Sequence, residues 1–256
     1  MLDAIHAAHH ALNQTQQQLD ITAENIANVN TPAYKEAIYQ GNVTYDDSRI
    51  DKITTHSQAR EAKEAQRPQI TYDFAQGHAI YTARPLDIML KGDGLLHVSW
   101  HDQSYYTRLG KLHIGNDGNL YLDNGARLLG LNGAIPNDVE KLTIDHNGII
   151  WADNRKIGQL DLVQITHPQN LRYVAQGMYQ LTQGATSQII QENQNNQNSQ
   201  DSQKNKVEVL QGYLESSNVN NVDTMMNMMK ISQDFSASQK VVQTYDDMLG
   251  NAINDM

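Results

Sequence analysis

His6 and His10 stand one helical turn apart, the spacing at which two imidazoles on one helix face can share a metal ion. No third ligand accompanies them and no HExxH pattern occurs, so they read as polar-face histidines and no metal site is assigned. Gly92-Asp93-Gly94 lacks the third glycine and the following helix of a dinucleotide loop, which leaves a turn as its expected role. Serine, histidine and aspartate are all present, but no Gly-x-Ser-x-Gly elbow frames a nucleophile. The paired carboxylates Asp46-Asp47 and Asp246-Asp247 sit among polar neighbours, where solvated surface charge is the default. No catalytic or cofactor-binding residue is assigned, no cofactor is expected, and the chain does not read as an enzyme.

The bulk composition narrows the alternatives further. A formal charge of −10 opposes binding to nucleic acid, which demands a basic face, and to anionic membrane surfaces. The absence of cysteine removes disulfides, thiolate catalysis and cysteine-ligated zinc. A hydrophobic fraction of 39% with 6% aromatic residues is low for one globule and suits a protein whose apolar surface is buried partly between subunits. Met1 to His6 has no positive n-region and no continuous apolar stretch, so a cleaved signal peptide is not expected, and no segment is long enough to insert directly into a bilayer.

The strongest pattern lies at the two ends. Ile5, Leu12, Leu19 and Ile26 fall seven apart, and so do Met228, Phe235, Val242 and Leu249. Such spacing draws an apolar stripe along a helix, and a stripe of this kind seeks a helical partner. No glycine or proline occurs before Pro32, so the first helix is expected to run from Leu2 to Val29. About 28 residues make a helix roughly 42 Å long. Its other faces are rich in Gln and Asn, and its narrow seam needs outside cover to hold it. The closing helix is expected to start near Asn220, with Asn220 as cap and Asp223 in the first turn. Met225, Met226, Met228 and Met229 widen its stripe toward a second neighbour.

Between the ends the period changes to two. His97 to Trp100, Lys111 to Ile114, Leu120 to Leu122 and Gly158 to Val163 read as short strands. Asn116-Asp117-Gly118, Asp123-Asn124-Gly125 and His146-Asn147-Gly148 supply the positive-φ residues that tight hairpins need. Gln191 to Lys206 is Gln- and Asn-rich and is expected to be a solvated loop.

The residues themselves resemble a known family. Asn25-Ile26-Ala27-Asn28-Val29-Asn30-Thr31-Pro32-Ala33-Tyr34-Lys35 resembles the N-terminal signature of bacterial flagellar rod and hook proteins, and Gly212-Tyr213-Leu214-Glu215-Ser216-Ser217-Asn218-Val219-Asn220 is similar to their C-terminal signature. Leu86 to Leu96 and Tyr106-Thr107-Arg108-Leu109-Gly110 look like the family's entry into its β-domain. Tyr81 to Asp87 and the overall length look most like the proximal rod branch, with the distal rod branch as the alternative. Ala33 stands where the family usually has glycine, so the chain either needs no positive φ there or tolerates the strain.

The resemblance implies a structural subunit of the periplasmic basal-body rod, exported by the flagellar type III apparatus with its N-terminus uncleaved, and transmitting torque. Its implied partners are copies of itself in a helical assembly and the other proximal and distal rod subunits. The expected fold is α+β. The N- and C-terminal helices, residues 1–33 and 220–256, pair as a coiled-coil-like layer; 34–79 with 207–219 form an extended connector; 80–206 form a central antiparallel β-domain with a polar loop at 191–206. Ile5, Leu12, Leu19 and Ile26 with Met228, Phe235, Val242 and Leu249 are the expected assembly interface. Asn25, Asn28, Thr31, Tyr34, Gly212, Glu215, Ser217, Asn218 and Val219 carry the family motif, with Asn25, Asn28 and Asn218 expected to satisfy backbone groups at the bends. Two other readings remain: a coiled-coil oligomer whose β-domain grips a ligand, and a secreted hydrolase.

Overall fold

The computed structural model describes residues 2–41, 69–131, 133–136, 139, 141–165, 167–182, 188–189 and 207–254, without the side chains of 2–10, 69, 188–189, 245–246 and 249–254. The 191–206 loop and most of the expected connector between Tyr34 and Ala79 therefore lie outside the described residues, as do the side chains of His6, His10, Ile5 and Leu249.

The chain divides into two compact units. One holds helix α1 (Leu2–Ala27), strands β1 (Ala37–Gln40) and β2 (Gln69–Tyr72), and helix α2 (Asn221–Asn254). The strands pair antiparallel, Ala37 opposite Tyr72. The start of α2 is capped as its sequence suggests: Val222 N–H donates to Asn220 Oδ1 at 3.1 Å, and Asn220 Nδ2 donates to Asp223 Oδ2 at 2.6 Å. The hydroxyls of Thr15, Thr22, Thr224, Ser236, Ser238 and Thr244 all return to the carbonyl four residues back. Such bonds satisfy the hydroxyls within their own helix and make no tie to a neighbour.

The other unit, residues 28–36 and 74–219, is β-structure. Its strands are β3 (Ala79–Tyr81), β4 (Ile88–Lys91), β5 (Gly94–Trp100), β6 (Gln103–Thr107), β7 (Leu112–Ile114), β8 (Leu120–Leu122), β9 (Arg127–Leu128), β10 (Leu142–Ile144), β11 (Ile149–Ala152) and β12 (Arg155–Gln159). There follow β13 (Leu162–Gln164), β14 (Leu171–Ala175), β15 (Met178–Leu181), β16 (Gln188–Ile189), β17 (Glu208–Gln211) and β18 (Tyr213–Glu215). A nine-stranded antiparallel sheet runs β14-β15-β6-β5-β9-β8-β7, with β13 joined to β5 and β16 joined to β13. Strands β10, β11 and β12 form a separate meander, while β17 pairs with β4 and β18 with β3. Gly118 and Gly125 take φ of +73° and +81° at the tips of the hairpins flanking β8, the conformation that their Asp-Gly and Asn-Gly contexts call for. Ile88, Leu90, Leu96, Val98, Leu112, Leu120, Leu122 and Leu128 come together in one continuous core. Short strands suffice here because the central ones bury two or three consecutive residues each, as Ile88 to Leu90 and Gly94 to Leu96 do.

The fold class needs correction. A coiled-coil-like layer of paired terminal helices was the expected organising feature, whereas the described residues hold eighteen strands against two α-helices and are dominated by antiparallel sheet. α1 and α2 do touch within their unit, but among the described side chains no continuous buried apolar seam runs along them. Leu12, Leu19, Ile26, Met228, Phe235 and Val242 are only half-buried. Among the described helical side chains, the buried ones are Ile21, Thr22 and Asn25 on α1 and Thr224 and Ile231 on α2. Three of these five are polar, which is not the composition of a heptad seam. The physical reason is width: a stripe of one residue in seven covers too little of each helix to seal against a single partner.

Candidate functional site

The most elaborate polar constellation in the described structure lies in the β-rich unit, where the two signature segments meet. After α1 the chain turns twice: Thr31 N–H donates to Asn28 O at 3.0 Å, Tyr34 N–H donates to Thr31 O at 3.3 Å, and the Thr31 hydroxyl donates to Asn28 Oδ1 at 3.1 Å. Ala33 takes φ +57°, so the position where the resemblance expects glycine does need a left-handed backbone, and alanine bears it. Its N–H donates to Glu215 O at 2.8 Å. Two residues on, Asn218 N–H donates to Tyr34 O at 3.3 Å, and Glu36 N–H donates to Asn218 Oδ1 at 2.8 Å. Residues 33–36 are thus stitched alongside residues 215–218, nearly two hundred positions away in sequence.

This stitching carries Lys35 inward. Its side chain has 0% exposure, that of Glu215 1% and that of Arg108 2%. Lys35 Nζ lies 2.6 Å from Glu215 Oε1 and donates to Ala75 O at 2.7 Å. Arg108 Nη1 lies 3.4 Å from Glu215 Oε2 and donates to Leu90 O at 3.2 Å, and Nη2 donates to Gly92 O. Gly77 N–H supplies a further donor to Glu215 Oε1 at 2.9 Å. Burial pushes the Arg108 guanidinium below its ordinary value, opposed by the charges of Glu215 and Asp93. One carboxylate is shared by two buried cations and a backbone amide. That is strong geometry for fixing positions, because ions this far from water tolerate little displacement.

The remaining motif residues are built around the same stitching. Ser217, buried, accepts from Val219 N–H at 3.2 Å in a tight side-chain turn, and Val219 is buried beside it. Gly212, at φ +82°, donates to Asp87 O at 2.7 Å and accepts from Thr82 N–H at 2.9 Å. Tyr34 is buried. In the helical unit, Asn25 Nδ2 donates to Ala37 O at 2.8 Å and Asn25 Oδ1 accepts from Ala37 N–H at 2.9 Å. One side-chain amide thereby mimics a strand rung and pins the start of β1 to α1.

The expected assembly residues are not gathered at this junction. Leu12, Leu19 and Ile26 lie half-buried along α1, and Met228, Phe235 and Val242 half-buried along α2. Val222, Met225, Met226, Met229, Val241 and Met248 are exposed on α2. The ion cluster was missed from the sequence, although Lys35, Arg108 and Glu215 each fall inside a quoted signature segment. The available signal was a single charge embedded in each motif, in a stretch otherwise uncharged. Replacing Ala33 with glycine offers a direct check of the turn. Relief of about 1–2 kcal/mol of left-handed strain is offset by about 0.4–1 kcal/mol of added unfolded-chain freedom and by about 0.8 kcal/mol for one lost buried carbon. Ala33→Gly is therefore expected to change stability by less than about 1 kcal/mol in urea melts, unlike an ordinary buried Ala→Gly change.

The geometry describes a protein that holds itself in a defined shape and presents helical apolar surface; among the described residues no catalytic constellation accompanies it. Comparisons with known proteins agree. Residues 5–35 match the family model "Flagella basal body rod protein", residues 89–152 match "Flagellar hook protein FlgE/F/G D1 domain", and residues 210–255 match "Flagellar basal body rod FlgEFG protein C-terminal". The flagellar basal-body rod protein FlgF of Escherichia coli is 30% identical over 263 residues, covering 97% of this chain and 96% of that protein. FlgG of Bacillus subtilis is 27% identical over 274 residues, covering 99% of both, and FlgF of Salmonella typhimurium is 28% identical over 259 residues, covering 97% and 96%. The chain belongs to the flagellar basal-body rod protein family, whose members are structural proteins and not enzymes. Lys35, Arg108 and Glu215 fall one in each of the three matched segments.

Proposed function

We propose that this chain is a proximal rod subunit of the FlgF type, polymerising through its terminal helices with copies of itself and with neighbouring rod proteins, and transmitting torque across the periplasm. The observation that carries this reading is the apolar side-chain surface left open on α1 and α2: half-buried Leu12, Leu19, Ile26, Phe235 and Val242, with exposed methionines beside them. Half-covered side chains of this size gain about 0.8 kcal/mol for each further methylene buried, so neighbouring subunits gain by covering them. Contacts repeating head to tail without closing would generate a filament. Residues 1–33 and 220–256 are assigned to polymer formation, 34–79 and 207–219 to the connector, and 80–206 to the β-domain. Relatives of both kinds match along the whole chain, FlgF proteins at 30% and 28% identity and FlgG of Bacillus subtilis at 27%, and the FlgF type is taken over FlgG from the resemblance carried by Tyr81 to Asp87 and the overall length. Passage through the flagellar export apparatus with an uncleaved N-terminus belongs to the same reading.

Deleting the chain from Val242 onward tests it. Swimming in soft agar is expected to be abolished, while Trp100 and Trp151, both in the β-rich unit, keep their native fluorescence. Motile cells carrying the truncation would contradict the reading. Photo-crosslinking from Leu19 and Phe235 identifies the neighbours, and complementation of FlgF-less against FlgG-less cells separates the two rod positions.

A further inference from the structure

All the sulfur in this chain is thioether, for it has nine methionines and no cysteine. Met225, Met226, Met228 and Met229 fall within five residues near the start of α2, and their exposure is graded. Met225, Met226 and Met229 are 48%, 52% and 60% exposed and Met228 is half-buried, whereas Met89 and Met178 in the β-rich unit are 4% and 0% exposed. We propose that Met225, Met226 and Met229 form an oxidation site on the unassembled subunit, where a peroxide converts them to methionine sulfoxide and thereby makes the subunit unfit to polymerise. The effect on polymerisation rests on the rod reading, in which neighbours cover α2; the oxidation site itself does not.

The step needs only access to the sulfur. A sulfur lone pair attacks one peroxide oxygen, an S–O bond forms as the O–O bond breaks, and the departing hydroxide takes the proton of the transferred oxygen and leaves as water. Sulfur is oxidised by two electrons and the peroxide is reduced by two. A buried sulfur reacts only when the protein opens around it. Met89 and Met178 lie on β4 and β15, so they wait on the opening of core strands.

The exposed sulfurs share one face. Steps of three and four residues join Val222 to Met225 and Met226, and these two to Met229, so the four side chains are neighbours on the helix surface. Val222 is exposed with them. The buried α2 residues Thr224 and Ile231 stand seven apart on a different line of the helix. Oxidation therefore alters the open face and leaves the packed one as it was. A sulfoxide turns a flexible apolar side chain into a polar one, and covering it without a hydrogen-bond partner carries the cost of any buried polar group. Methionine sulfoxide reductases restore the thioether, so the change is reversible.

The test treats the full chain with hydrogen peroxide and follows its peptides by mass spectrometry. Met225, Met226 and Met229 are expected to gain oxygen at least about tenfold faster than Met89 and Met178, with Met228 between them and exposed Met248 as fast as the three. Reductase treatment is expected to remove the added oxygen. Equal rates at buried and exposed methionines, or no reaction at the three, overturns the site. In cells, Met225→Gln, Met226→Gln and Met229→Gln together place uncharged polar groups of similar length on the same face, and the matching leucine triple keeps it apolar. Glutamine, leucine and methionine are similar helix formers, so circular dichroism of the purified variants is expected to match the parent. The glutamine chain is expected to abolish spreading in soft agar, and the leucine chain to spread farther than the glutamine chain. Equal spreading by the two overturns the effect on polymerisation. The truncation at Val242 is scored beside them. A non-motile truncation with equal spreading of the two triples sinks this inference and spares the rod reading, whereas a motile truncation sinks the rod reading and leaves the oxidation site to the mass spectra.

Discussion

Glu215→Ala is expected to remove about 3–5 kcal/mol of the β-rich unit's stability, because it leaves the Lys35 ammonium and the Arg108 guanidinium buried without the carboxylate they share. Against a total of about 5–15 kcal/mol for a domain, that loss is enough to populate unfolded chain at growth temperature. The asymmetry within the cluster makes the prediction sharp. Lys35→Met removes one cation and leaves Glu215 still paired with Arg108 and with the Gly77 amide. Its cost should therefore be clearly smaller, although both changes delete the same 2.6 Å contact. Urea unfolding followed by the fluorescence of Trp100 and Trp151 measures both, since both tryptophans lie in this unit. Equal costs for the two variants would mean that the contact itself, and not the stranding of buried charge, sets the energy.

The same cluster explains why the two signatures belong together. Lys35 lies in the first and Glu215 in the second, and Lys35 cannot be buried without Glu215, its carboxylate partner at 2.6 Å, except as an unpaired ion in a low-dielectric interior. The folded unit therefore needs residues 215–218 beside residues 33–36. Glu215→Ala cells are accordingly expected to swim poorly through loss of folded subunit, with α1 and α2 unaltered in sequence.

What could be read in advance was whatever is decided within a few residues. The Asn220 cap, the hairpin glycines Gly118, Gly125 and Gly148 and the end of α1 before Thr31-Pro32 all follow from local backbone sterics and hydrogen bonding. The family followed from the signature segments for the same reason, since each is a short contiguous motif. The fold class was misjudged because a heptad stripe announces itself over four or five turns, whereas strands such as Arg127–Leu128 or Ala79–Tyr81 are two or three residues long and exist only through their partners. Lys35, Arg108 and Glu215 were illegible for the same cause: the separations that join them, 180 residues between the first and last, leave no periodicity to detect. The Gln211 side-chain amide likewise donates to Pro85 O and Leu142 O, 126 and 69 residues away in sequence.

Gly110→Ala is expected to be comparably damaging by an unrelated route. A Cβ at this position would stand 1.7 Å from the carbonyl oxygen of Ile88 and 2.8 Å from its carbon. Those atoms belong to the strand backbone, which no side-chain rotation can clear, and Ile88 N–H also donates to Gly110 O at 2.8 Å. Relief requires moving β4, whose Ile88 and Leu90 are part of the core and whose other edge is paired with β17. A cost of at least about 3 kcal/mol follows, beyond the ordinary range for added methyl groups. Gly125→Ala is the matched control, for it adds the same atom at φ +81° with nothing within 4 Å. That change carries only left-handed strain, about 1–2 kcal/mol. If the two variants melt alike, backbone conformation and not close approach governs these glycines; a gap of about 1 kcal/mol or more in favour of Gly125→Ala assigns Gly110 to the contact between the signature-bearing loop and the first core strand.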